Sequence, residues 1–239
     1  MKSGYLGIGP DCNGAKQMEL DRSMLSQTER DGYTRIRFYR FVPPAVSLGY
    51  NQKREDIDLD LCTRQGVEVV RRPTGGRAVL HKGDLVYSIS VAVSGMHESE
   101  SLHREVYNLV SLSLIEGLQS LGIPAAGSTS SALPLSSSRV MPKLCFSSTT
   151  RHEVQLNGKK LVGSAQRKGK NAVLQHGSIL VTEEYLEIAQ LLAGLDSNKR
   201  DAVKMALKNR TICLREAGFD RTIENLIEAL KVSFLKNFR

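Results

Sequence analysis

Val154-Gln155-Leu156-Asn157-Gly158-Lys159-Lys160-Leu161-Val162 is the stretch on which the fold turns. Apolar and polar residues alternate up to Leu156. Asn157-Gly158 supplies the two positive-φ positions of a type I′ turn, and residues 159–162 lead back. The spacing predicts a β-hairpin here, with further strands at 172–175 and 178–181. Upstream, residues 35–41, 45–49, 67–71 and 85–93 read as strands, the first ended by Pro43-Pro44.

Helical patterns flank these strands. Residues 15–28 place Met18 and Leu25 on one face, and Asp58 is positioned to cap a short helix that stops before Gly66. Between 102 and 121 the residues Val106, Leu109, Val110, Leu114, Leu118 and Leu121 recur with a helical period that Gly122 ends. Three more helices are expected at 185–195, 202–208 and 223–235. Residues 125–138 are rich in Ser, Ala, Pro and Gly and show no period. Strands and helices that do not strictly alternate point to an α+β fold: a mixed, largely antiparallel sheet flanked by helices. Residues 1–183 are expected to form the core of one domain, with a C-terminal helical segment, 184–239, packed on it.

Composition narrows the function classes. The chain has 239 residues, 33 basic against 25 acidic, a net charge of +8. The N-terminal stretch lacks an apolar core like that of a signal peptide, and no run is long and apolar enough to span a membrane. The four cysteines, Cys12, Cys62, Cys145 and Cys213, are far apart and form no C-x-x-C. No local zinc or redox motif is present, and a reducing, cytoplasmic setting is expected. Residues 151–170 carry six Lys/Arg and one acid, a local +5, but no aromatic residue on which bases could stack. A nucleic-acid partner is not expected.

Three segments could carry chemistry. In the first, residues 71–81, Gly75-Gly76 lets a ligand approach the main chain, and Arg71, Arg72 and His81 flank it. Taken alone, so short a glycine motif reads first as a surface turn with solvated arginines. In the second, Lys160 sits on the hairpin beside Gly163-Ser164-Ala165, followed by His176-Gly177. There a lysine could donate to a carbonyl, or simply be an exposed strand residue. In the third, Cys145 lies between the serine-rich stretch and the basic hairpin. Arg151, His152 and Lys160 are near enough in sequence to lower its pKa if the fold brings them together.

In this order, the segments resemble the biotin/lipoate protein ligase superfamily, most closely the lipoate-ligase-like octanoyltransferases. The resemblance rests on RRPTGGRAVLH (71–81) with LVYSISV (85–91), and on CFSSTTRHEVQLNGKKLVGSAQ (145–166) with LQHGSIL (174–180). RFYRFVPPAVSLGYNQ (37–52) resembles the family's early strand pair. The resemblance implies transfer of an octanoyl group from acyl carrier protein to a lysine of a lipoyl-acceptor domain, such as glycine cleavage H protein or a 2-oxoacid dehydrogenase E2. It makes Cys145 the thioester-forming nucleophile and Lys160 the lysine of the acyl site, with His152 or His176 available to move a proton. It places Arg71, Arg72, Gly75, Gly76 and His81 on one wall of the substrate pocket and Gly163, His176 and Gly177 on the other. It implies no metal and no cofactor.

The alternative is an ATP-dependent lipoate ligase working through lipoyl-AMP with ATP and Mg. Against it stand Cys145, which adenylation does not need, and Arg77 where such ligases usually have a third glycine. A departure from the family is Lys82 where an acid usually follows the histidine, with Asp84 two positions on. A third possibility, a basic binding module without catalysis, has no recognisable nucleic-acid motif behind it.

Overall fold

The computed structural model describes residues 2–93, 100–128 and 153–238. The chain runs β1 (Lys2–Ile8), α1 (Gly14–Asp31), β2 (Tyr33–Tyr39), β3 (Ala45–Leu48), α2 (Leu59–Arg64), β4 (Glu68–Arg71), β5 (Val79–His81) and β6 (Asp84–Ala92). It continues with α3 (Glu100–Ser120), β7 (Ala126–Gly127), β8 (Val154–Leu156), β9 (Lys159–Lys160), β10 (Val162–Lys168), β11 (Ala172–Leu180), α4 (Ser197–Arg210) and α5 (Ile223–Asn237). The main sheet has strand order β1-β2-β6-β11-β10, a second has β4-β3-β5, and a third β7-β8-β9. Only β1–β2 and β3–β4 pair in parallel among these ladders. The fold is α+β with a mixed, largely antiparallel sheet.

Period-two alternation divides the main sheet into two faces. Ile36, Phe38, Leu85, Tyr87, Ile89, Val173 and Ile179 join Val110, Leu114 and Leu118 of α3 and Leu230 and Phe234 of α5 in the largest apolar cluster. Phe234 meets Phe38 edge-on, ring centroids 6.0 Å apart. On the opposite face lies α1, capped at its start by the Asn13 side chain and ended by Gly32 with φ 74°. Its buried stripe includes Gln17, Met18, Asp21, Met24 and Leu25. The β4-β3-β5 sheet packs separately against residues 185–213, with Val46, Leu48, Leu80, Tyr185, Leu192 and Leu207 in one cluster.

The hairpin turn is as predicted, with Asn157 at φ 51° and Gly158 at φ 74°. Its second strand is shorter, only Lys159–Lys160. Leu161 then takes the chain across to the main sheet: its N–H donates to the Val154 carbonyl at 3.0 Å and its carbonyl accepts from Leu180 N–H at 3.1 Å. The strands expected at 172–175 and 178–181 are one, β11, because His176-Gly177 stays extended in register with β10 and β6. The helix expected at 185–195 is a 3-10 segment, Glu183–Ala189, followed by turns. β1 and β5 are additions. β1 is glycine-interrupted, and β5 lies inside the segment read for chemistry alone.

Candidate active site

A cavity of about 360 Å³, including its open mouth, lies between the α1 face of the main sheet and the β3–β5 ladder. β10 and β11 contribute Gly163, Ala165, His176 and Ser178. The second sheet contributes Ser47, Arg72 and His81, and Met18, Phe41, Val79 and Val86 supply apolar surface. Four residues expected at the substrate pocket, Arg72, His81, Gly163 and His176, therefore meet across one space, and Gly177 lies in the same lining. The glycine is needed there: a Cβ on Gly177 would sit 2.5 Å from the Tyr87 ring and 2.6 Å from the Gly163 carbonyl.

Two hydroxyl–imidazole–carboxylate chains line this space. In the first, Asp21 accepts from His176 Nδ1–H at 2.8 Å, and Thr74 Oγ lies 2.6 Å from His176 Nε2. Asp21 is fully buried. Its Oδ1 accepts twice from Arg37, at 2.7 and 3.0 Å, and its Oδ2 also accepts from the Tyr39 hydroxyl at 3.1 Å. All four lone-pair directions of the carboxylate are used. Burial pushes the Asp21 pKa upward, but Arg37 and His176 outweigh it and hold the carboxyl at about 2. Burial pulls His176 below its usual 6.5 despite Asp21 beside it, so the ring is neutral at pH 7 and its Nε2 accepts from Thr74. His176 itself borders the cavity, while Thr74, which holds its Nε2, is fully buried beside it.

In the second chain, His81 Nδ1 donates to Asp84 Oδ2 at 2.8 Å and Nε2 faces the Ser47 hydroxyl at 2.8 Å. Asp84 also accepts from Ser178 at 2.6 Å, and Phe41 stacks on the imidazole with centroids 4.2 Å apart. Asp84 is thus the acid that bonds His81. Lys82 points to the surface and pairs with Glu187 at 2.7 Å.

The arginines hold the loops. Arg72 is buried and donates to the carbonyls of Ser47, Gly75 and Arg77 at 2.7–2.8 Å. It thereby clamps the turn in which Gly76 has φ 91°. Arg71 turns away and bonds the carbonyls of Gly49, Tyr50 and Gln52. A Cβ on Gly49 would fall 1.8 Å from the Gly76 carbonyl, so two main chains cross here in contact.

Lys160 is 3% exposed, and its ammonium pairs with Glu153 at 2.7 Å. It belongs to the β8–β9 ladder, three residues before Gly163, and is outside the cavity lining. Glu153 Oε2 is buried and has no hydrogen-bond partner among the described residues. One of the six cations in the 151–170 stretch is therefore internal, and Arg167 reaches back over the Tyr50 ring and to the Pro73 carbonyl. Cys145, Arg151 and His152 lie outside the described residues. Among the described residues no group of three or more His, Cys, Asp or Glu could hold a metal ion, and no helix is long and apolar enough to cross a membrane.

Sequence reading missed Asp21, Ser47 and Thr74 as partners of the two histidines and Arg37 as the partner of Asp21, and it noted Asp84 only for its place after Lys82. A signal existed for one: Asp21 falls on the same helical stripe as Met18 and Leu25, an acid on the inward face of α1.

The lipoyl protein ligase A/B catalytic-domain model matches residues 13–235. The chain belongs to this family. It is 32% identical over its whole length to octanoyltransferase LipM of Lysinibacillus sphaericus, covering 88% of that protein. It is 33% identical over 95% of its length to octanoyltransferase LipM of Geobacillus kaustophilus, covering 82% of it. Among solved structures, a bi-partite lipoate protein ligase of an archaeal lipoylation system, from Thermoplasma acidophilum, superposes with a TM-score of 0.78 at 24% identity. That match covers 99% of this chain and 84% of that one. Lipoate-protein ligase A bound with ATP superposes with a TM-score of 0.75 at 22% identity, covering 98% of this chain and 85% of that one. At these identities the structures establish the lipoyl-ligase fold, and the family's activity is argued from the sequence relatives.

Proposed function

We propose that this family member is an octanoyltransferase that moves an octanoyl group from acyl carrier protein to a lysine of a lipoyl-acceptor domain through a thioester on Cys145. The observation that carries this reading is identity of about a third, along nearly the whole chain, to proteins that are octanoyltransferases. Cys145 adds to it, since an adenylating ligase has no use for a nucleophile there. The acceptor is a domain of the kind found in glycine cleavage H protein or 2-oxoacid dehydrogenase E2.

In the first step the Cys145 thiolate attacks the carrier thioester. A new C–S bond forms, and the carrier's thiolate leaves and takes a proton. The acyl chain occupies the cavity, where Met18, Val79 and Val86 offer apolar surface. In the second step the neutral amine of the acceptor lysine attacks the acyl carbonyl. The C–N bond forms, the C–S bond breaks, and Cys145 is regenerated. Lys160, paired with Glu153 outside the cavity lining, serves as oxyanion donor only once that pair opens toward the acyl carbonyl. Arg72 clamps the Gly75-Gly76 turn, which lies outside the cavity lining, with Arg71 bracing the loop behind it. His81, His176, Gly163 and Gly177 shape the walls. Exchange between thioesters is nearly isoenergetic and passage to an amide is downhill, so no ATP, metal or other cofactor is required.

Mass spectrometry after mixing the protein with octanoyl carrier protein tests this. An octanoyl adduct on Cys145 is expected, and Cys145→Ala is expected to lose it together with about 10³-fold or more of the transfer rate. Full transfer by the Cys145→Ala protein, or transfer only from free lipoate with ATP and Mg, defeats the reading in favour of a ligase.

A further inference from the structure

A second, larger groove of about 1080 Å³, again counting its open mouth, adjoins the acyl cavity and shares Phe41 and His81 with it. The stacked pair forms the partition between the two spaces. The groove is lined by four cations, Arg40, Lys82, Arg215 and Arg221, against two acids, Asp84 and Glu184. Most of these charges are engaged. Arg40 pairs with Asp11 and Lys82 with Glu187, Asp84 accepts from His81 and Ser178, and Glu184 accepts from Thr182. Arg215 and Arg221 are different. Both are exposed, and among the described residues neither has an ion pair or a side-chain hydrogen bond. The start of α5, with Thr222 as its cap, lies in the same wall, and its positive end is partly offset by Glu224 in the first turn.

Resting on the transferase reading, we propose that this groove receives the phosphopantetheine arm of the acyl carrier, with Arg215 and Arg221 binding its phosphodiester. A carrier-bound thioester whose acyl chain fills the inner cavity must run its arm out through an adjoining space, and this one borders that cavity. The arm carries one anionic group, and two arginines with unused donors are matched to it by charge and by fork geometry. The remaining lining is mixed: Phe41, Val42, Pro44 and Ile223 offer apolar surface suited to the neutral pantetheine portion. The 151–170 stretch is a weaker candidate for this role, because Lys160 is spent internally on Glu153.

Two small donors separate the phosphate from the carrier's protein surface: octanoyl-pantetheine, which lacks the phosphate, and octanoyl-4′-phosphopantetheine, which has it. The wild-type protein is expected to use the phosphorylated donor about tenfold better or more in kcat/KM. The Arg215→Gln/Arg221→Gln double variant is expected to lose that preference through KM, with kcat within about twofold of wild type. Both arginines are exposed, so an unchanged melting temperature accompanies the result. Equal use of the two donors by the wild type overturns the assignment, as does a preference that survives in the double variant. A dependence on ATP with free octanoate, weakened by the same substitutions, gives the groove to a nucleotide instead and also overturns it. If no donor, octanoyl carrier protein included, leaves an acyl adduct, the transferase reading itself fails and the groove's assignment falls with it.

Discussion

On one side of the main sheet, Ile36, Phe38, Leu85 and Tyr87 meet α3 and α5 in a nearly continuous apolar layer. On the other, their chain neighbours Arg37, Tyr39, Asp84 and Val86 face α1 and the cavity side, and two of these four are charged while Tyr39 turns its hydroxyl to Asp21. The two sides are equally buried. They differ in what holds them together. The apolar side gains from area removed from water, which is non-directional and tolerant of sequence. The polar side consists of buried donors and acceptors that are stable only while each partner is present. The same strands thus carry a face that stabilises the fold and a face that orients two imidazoles toward a ligand space. Damage to the two should separate stability from activity.

The largest effect on stability alone is expected on the apolar side. Phe234 is fully buried against Phe38, Tyr87 and Phe238. Phe234→Ala should cost about 3–5 kcal/mol in urea denaturation, while acyl transfer per folded molecule stays at the wild-type level. A parallel loss of activity would show that the two faces are coupled after all.

Asp21→Asn tests the polar side. It leaves Arg37 buried beside a neutral amide, a change expected to cost about 3 kcal/mol. It also frees His176, so transfer per folded molecule should fall about tenfold or more. The pH dependence gives a second reading of the same residue. Asp21 has its carboxyl lowered from 3.8 to about 2, so its contribution is present above 3.8 and is lost as pH falls through about 2. That contribution is about 2 kcal/mol. His176 is lowered from 6.5, so its contribution is complete above that pH and declines below it. Melting curves from pH 7 to 2 should therefore show the wild type losing more stability than Asp21→Asn in the acid range. Identical profiles would contradict the buried ion pair.

The smallest effect belongs to Lys82→Ala. Lys82 and Glu187 are 38% and 44% exposed as a pair, so a change within about 1 kcal/mol is expected. Transfer should be unaffected, because Asp84 is the acid that bonds His81. Loss of activity on this substitution would restore a role for position 82.

The fold was legible where local chemistry decides it. Asn157-Gly158 marked its turn, Asp58 its cap, and the period of Val106 to Leu118 its helix. β5 was hidden inside the glycine segment, and β11 was read as two strands because the glycine after His176 resembles punctuation until the neighbouring Tyr87 ring explains it. The site was half legible. Arg72, His81, Gly163 and His176 were recognisable by their motifs, and they do line one cavity. Their partners were not. Asp21 lies 155 positions from His176 and Thr74 lies 102 from it, and such pairings depend on tertiary contact that no local pattern reports. Two local hints existed, the inward placement of Asp21 on α1 and the acid Asp84 three positions after His81.

The crossing at Leu161 has a mechanical consequence. That single residue is fastened through its amide to the small hairpin sheet and through its carbonyl to β11. The ribbon therefore has no slack between Lys160 and Gly163. A load on the hairpin would pass straight into the β10–β11 wall of the cavity, while the Lys160 ammonium stays with Glu153 on the hairpin side.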